Sequence, residues 1–127
     1  MFANTKATNG FAVDDVEAAK RFYGETLGLG VTELSDEHGV ISIQLAGGRD
    51  TLVYRKPDFV PATYTILNFE VDDVDAAVEE LTAKGVEMDR YEGFDQDEKG
   101  IARGPGPSIA WFKDPAGNIL SVLQQPS

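Results

Sequence analysis

The 127-residue chain contains no cysteine, one histidine and one tryptophan, and it sets only 11 Lys and Arg against 22 Asp and Glu. Without thiols there can be no disulfide, thiolate nucleophile, cysteine-ligated zinc or iron–sulfur cluster, and a reducing cytoplasm is the expected location. A net charge of −11 repels phosphate backbones, so no nucleic-acid partner is expected. The acids are scattered rather than blocked, which reads either as solvated faces or as an attraction for a cationic ligand. No apolar run is long enough to span a bilayer, so no membrane partner is expected. The opening MFANTKATNG lacks the order of a signal peptide. The one histidine, His38, lies in SDEHG beside Asp36, Glu37 and Gly39. That setting reads as an exposed turn, although a ligand or general-base role is chemically open to it. No Ser–His–acid or lysine-centred constellation can be picked out for covalent catalysis.

What is present is a repeat. FAVDDVEAAKRF at 11–22 returns as FEVDDVDAAVEEL at 69–81 with Phe, Val, Asp, Asp, Val, Ala and Ala at one constant offset. In each copy an alternating stretch (7–13 and 63–71) leads into apolar residues at helical spacing. Asp14 or Asp15 in the first copy, and the matching pair Asp72 and Asp73, suit helix N-caps better than acid–base pairs or metal ligands. Gly28 and Gly30 stop the first helix, and Gly85 the second. Strands are expected at 31–34, 40–47 and 51–56, then a proline-bearing linker at 57–62. After the second helix, strands are expected from VEMDRYE (86–92), SIAWFKD (108–114) and ILSVLQQ (119–125). The turn PAGN joins the last two, Pro setting φ and Gly or Asn accepting positive φ.

The expected fold is therefore α+β: two tandem βαβββ modules forming a cupped mixed β-sheet with helices on the outside. The whole chain, 1–127, is one domain, with module one at about 7–56 and module two at about 63–125. A helix covers only one face of its sheet, so the other faces are free to enclose a small-molecule pocket.

Three motifs, VDDVEAAKRFYGETLGL (13–29), VDDVDAAVEELTAKGV (71–86) and WFKDPAGNILSVLQ (111–124), in this order and with the repeat, resemble the vicinal oxygen chelate superfamily. That superfamily contains glyoxalases, bleomycin- and fosfomycin-resistance proteins and extradiol dioxygenases. The resemblance implies a homodimer. It also implies metal-ligand positions that here fall on Thr8, on the stretch Leu52 to Tyr54, on Ile66 and on Ser121, where imidazole or carboxylate ligands would be needed to polarise adjacent substrate oxygens. With those identities the expected cofactor is none, although Glu70 and Asn68 leave a divalent metal open.

A cavity without metal must recognise its ligand through aromatic and polar side chains. Alternation puts Asn68 and Glu70 on the cavity side of their strand, away from the helix. Thr8 and Ser121 face inward by the same reasoning. Tyr54 either meets a ligand or packs at a seam, and Trp111 is either a stacking wall or core. The stretch 93–107 is either a lid, with Phe94 closing and Arg103 or Lys99 meeting an anionic or carbonyl-bearing ligand, or a solvated loop. Its GPGP is no phosphate cradle, because proline lacks the amide donor. The expected function is metal-independent binding of a small organic molecule. Two alternatives stand beside it: an enzyme, either a divergent metal-dependent lyase, isomerase or dioxygenase or a metal-free one using Tyr54 and Arg103, and an interaction module without a ligand.

Overall fold

The computed structural model of the protein describes residues 1–126, in two compact units, Met1–Val60 and Pro61–Ser127. The first unit runs β1 (Asn9–Val13), α1 (Val16–Arg21), β2 (Gly30–Ser35), β3 (Val40–Leu45) and β4 (Arg49–Arg55). Its sheet has the order β1-β4-β3-β2, with β1 and β4 parallel and the other pairs antiparallel. Asp15 rather than Asp14 caps α1: its Oδ1 accepts from the backbone N–H groups of Glu17 and Ala18 at 3.0 and 3.2 Å. The helix is shorter than its periodicity promises. It passes into a π-helical turn over Phe22–Thr26, closed by the Leu27 N–H on the Phe22 carbonyl at 2.9 Å. Gly28 then leaves with φ of 74°, a region that favours glycine.

Val13, Ala19, Tyr23, Ile41, Ile43 and Val53 are buried between α1 and this sheet. Burial of each large apolar side chain contributes about 1.5–3 kcal/mol. Alternation along β4 turns Leu52 and Tyr54 the other way, where they are 40% and 42% exposed.

The second unit runs β5 (Thr65–Glu70), α2 (Val74–Ala83), β6 (Ser108–Lys113) and β7 (Ile119–Gln124). Its sheet order is β5-β7-β6, with β5 and β7 parallel and β6 and β7 antiparallel. Asp73 caps α2 by accepting from the Ala76 N–H at 3.1 Å. Val74, Val78 and Leu81 on α2 are buried together with Ala110, Phe112, Leu120 and Val122 of the sheet. The fold is thus α+β, with two mixed sheets of four and three strands and two α-helices.

The strand expected at 86–92 does not form. Only Met88 bridges Phe112, beside one hydrogen bond from the Asp89 N–H to the Trp111 carbonyl at 2.8 Å. The Gln96 side chain is the reason. Its Oε1 accepts from the Tyr91 N–H at 2.8 Å and its Nε2 donates to the Asp89 carbonyl at 2.9 Å, occupying backbone groups that a longer ladder would use. Among the described residues, no helix is long and apolar enough to cross a membrane.

Candidate functional site

The pairing register sorts the second sheet into two faces. Leu67, Phe69, Leu120, Val122, Ala110 and Phe112 share the face under α2. On the opposite face Asn68, Ser121 and Trp111 form one row across the three strands, and Thr65, Ile119 and Lys113 another. Asn68, Ser121 and Trp111 are thus neighbours on this face. The Ser121 hydroxyl, fully buried, donates to the Asn68 side-chain carbonyl at 2.5 Å. Glu70, exposed on the same face, accepts from Gln125 Nε2 at 3.2 Å.

Trp111 is half-buried and anchors a cluster of rings. Tyr91 meets it edge-on with centroids 5.5 Å apart and planes at 88°. Phe94 lies at 5.1 Å and 58°, and the Tyr91 and Phe94 rings are 6.4 Å apart. Such tilted and edge-on pairs match the ring quadrupoles and add stability beyond area burial. These three rings, with Thr63, Tyr64, Thr65 and Ile119, line an open cleft of about 330 Å³. Phe94 and Tyr64 are 55% and 68% exposed, so the cleft presents aromatic surface to solvent. Tyr91 was hidden from sequence reading inside a segment that resembled a strand. Its signal was the spacing Tyr91-x-x-Phe94 around Gly93, which folds back through a hydrogen bond from the Phe94 N–H to the Tyr91 carbonyl at 3.3 Å.

The segment after Phe94 is tied down by its own polar groups. Gln96 adds a third bond, to the Gly100 carbonyl at 2.8 Å. Asp97 Oδ1 accepts from the Lys99 and Ile101 N–H groups at 2.9 Å each. Gly100 is required here: its φ is 89°, and a Cβ would lie 3.0 Å from Met88 Cβ. Arg103 and Lys99 face α2 instead of the aromatic cleft. The Arg103 guanidinium donates to Asp75 Oδ1 at 2.6 Å and to Asp97 Oδ2 at 3.1 Å. Lys99 reaches the same Asp75 oxygen at 3.2 Å and Glu79 at 3.6 Å.

These contacts set the titration behaviour. Hydrogen bonds from Arg103, and then Lys99, hold the Asp75 carboxyl below the ordinary aspartate value. For Asp97, burial pushes upward but the Ile101 N–H and the Arg103 guanidinium outweigh it, and the net direction is down. Both groups therefore favour the folded state above the ordinary aspartate pKa of about 4, and this advantage fades as pH falls through their lowered values. At the other end of the scale, burial, the Asp89 charge and the hydrogen bond to Asp89 Oδ2 (3.1 Å) push Tyr91 up to about 12. A phenol raised in this way stabilises the fold below pH about 10 and loses that contribution as pH climbs towards 12. An ultraviolet phenolate titration is expected to lose late amplitude in Tyr91→Phe; a late amplitude unchanged by that substitution overturns this assignment.

In the first unit, Thr8 is exposed just ahead of β1, and Tyr54 stands on the β4 face turned away from α1. The residues at the implied metal positions do not fit a divalent ion. Ile66 has no donor atom and sits at the register shift between Thr65 and Leu67. Thr8 offers a neutral hydroxyl, and the Ser121 hydroxyl is committed to Asn68. His38 lies in an exposed turn, where its N–H donates to Ser35 Oγ at 3.1 Å. The carboxylates of Glu17, Glu33 and Asp36 converge at the surface, but the Lys20 ammonium already offsets them, 3.5 and 3.7 Å from Glu17 and Glu33.

The sequence profile of the Glyoxalase/Bleomycin resistance protein/Dioxygenase superfamily matches residues 7–122. Comparison with curated protein sequences returns no match. Among solved structures, TnmS3, an antibiotic binding protein from Streptomyces sp. CB03234, superposes with a TM-score of 0.73 at 27% identity, over 97% of this chain and 98% of that one. A glyoxalase/bleomycin resistance protein from the same organism gives 0.63 at 28% identity, over 93% and 100%. The fosfomycin resistance protein FosX from Listeria monocytogenes shares the fold with a TM-score of 0.73 at 17% identity, over 97% and 92%.

Proposed function

The chain belongs to the Glyoxalase/Bleomycin resistance protein/Dioxygenase superfamily, and on that footing we propose that it binds a small organic molecule without a metal, in the aromatic cleft of its second unit. The observation that carries this reading is the wall of Tyr91, Phe94 and Trp111, three rings in mutual contact beside exposed Tyr64. Clefts of this size lined by aromatic surface and a few hydroxyls are the usual form of small-ligand sites. The likeness to an antibiotic binding protein at 27% identity supports the same reading. The lack of an imidazole or carboxylate at Thr8, Ile66 and Ser121 supports the metal-free part of it. Asn68 and Glu70 are proposed as further contacts, with the buried Ser121 hydroxyl orienting Asn68; Thr8 and Tyr54 are proposed as ligand-facing residues of the first unit, and Arg103 as a brace for the wall.

Trp111 is the only tryptophan, so its fluorescence reports on the cleft alone. Saturable quenching by members of a drug and metabolite panel, retained after chelator treatment, is the expected result. A panel without a single saturable quencher overturns the reading. Thermal unfolding of chelator-stripped protein with Mn²⁺, Fe²⁺, Ni²⁺, Zn²⁺ and Mg²⁺ separates it from a metal-dependent lyase, isomerase or dioxygenase. A ligand at a hundredfold excess over its dissociation constant stabilises the native state by about 2.7 kcal/mol. A clear rise with one metal favours the enzyme. The proposed assembly is a cytoplasmic homodimer, for which light scattering should report twice the 13.8 kDa chain mass.

A further inference from the structure

The aromatic wall stands in the more acidic part of the chain. Residues 61–127 carry 13 Asp and Glu against five Lys and Arg, a balance of −8 out of the total of −11. All five cations are engaged. Lys84 faces Glu80 at 3.5 Å, and Arg90 donates to the carbonyls of Asp97 and Glu98 at 2.7 Å each. Lys99 and Arg103 are held by Asp75, Glu79 and Asp97. Lys113 donates to Asp89 Oδ2 at 2.9 Å, the same oxygen that receives the Tyr91 hydroxyl. Among the described residues, each basic side chain of this unit already has an acceptor.

The two acids next in sequence to the rings Tyr91 and Phe94 are differently placed. Glu92 lies within the turn Tyr91–Phe94, which carries two of the three rings, and Asp95 follows it directly. Both are exposed, and neither has a cation partner among the described residues. The faces of aromatic rings carry the negative part of the quadrupole and attract cations, most strongly at tryptophan. Nearby unpaired carboxylates add a Coulombic attraction of the same sign. An anion meets repulsion from both sources.

We infer that the cleft selects a lipophilic organic cation: an apolar body lying on Trp111 and Phe94, with an ammonium- or pyridinium-type charge shared between the ring faces and the Glu92–Asp95 turn. This inference rests on the reading of the cleft as a small-molecule site and adds the charge of its ligand.

The test uses three probes of one shape and the quenching of Trp111: N-methylacridinium, neutral acridine above its own pKa, and 9-anthracenecarboxylate. The cation is expected to bind about fivefold tighter than acridine, and the anion weakest. Salt at 1 M should remove most of the cation's advantage. Glu92→Gln with Asp95→Asn should reduce it likewise, by weakening the cation far more than acridine. Glu25→Gln with Glu37→Gln, which removes the same charge from exposed sites of the first unit, should leave the preference intact. Equal affinities for cation and neutral probe, or a preference that survives loss of Glu92 and Asp95, overturn the inference while the site itself stands. Absence of saturable quenching by all three overturns the site and the inference together.

Discussion

Replacing Trp111 with alanine is expected to weaken binding of any ligand that quenches its fluorescence by about 30-fold, which corresponds to the roughly 2 kcal/mol of an aromatic hot spot. The argument is geometric. Trp111 touches both other rings of the wall, at 5.5 and 5.1 Å between centroids, so its loss removes the largest contact surface and also the support of Tyr91 and Phe94. Because the side chain is half-buried, stability should fall by less than the 3–5 kcal/mol of a fully buried tryptophan, to about 2 kcal/mol. Titration calorimetry measures the affinity once the fluorophore is gone. Trp111→Phe should recover most of the binding, because a ring face remains. An alanine variant that binds within threefold of the parent would place the ligand elsewhere.

The second large effect concerns the closing hairpin. Asp114→Ala is expected to destabilise the protein by about 3 kcal/mol in urea unfolding. The Asp114 carboxylate, only 5% exposed, accepts from the N–H groups of Ala116 and Asn118 at 3.0 and 2.9 Å and from the Asn118 amide at 3.0 Å. Asn118 is 2% exposed, so these donors have little access to water once the acceptor is gone. Each buried polar group left unpaired costs about 1–3 kcal/mol. Asp114→Asn keeps the acceptor for the two backbone donors but points an amide at the Asn118 amide, and should fall between the parent and the alanine variant. A loss below 1 kcal/mol for alanine would mean that the turn is held by Pro115 and Gly117 alone. This hairpin is also the framework of the site, since it carries Trp111 on one strand and Ser121 directly opposite on the other.

Much of the fold was legible because its signals are local. The repeated Val-Asp-Asp junction marks where each strand turns into a helix, and an aspartate caps both helices as that pattern requires. Asp114, Pro115, Gly117 and Asn118 announced their tight turn in the same way. The site was less legible. Phe94, Trp111, Asn68 and Ser121 are each identifiable from the sequence, but the pairing of Phe94 with Trp111 spans 17 positions and depends on how the 93–103 segment folds. Tyr91 was missed because one glutamine, Gln96, overrides the strand pattern around it. Arg103 and Lys99 carry the right charge to greet an anion, yet Asp75, 28 and 24 residues away, holds both.

By itself, then, the amino-acid order determined the duplication, the capped helices, the glycine stops, the closing turn and the acidic balance, because each follows from backbone chemistry within a few residues or from composition. Only the tertiary structure decided which side chains meet: the three-ring wall, the Ser121–Asn68 bond and the clamp on Asp75. Those outcomes are set by sheet register and by competition among distant polar groups for a limited number of partners, and neither is encoded in the spacing of any one segment.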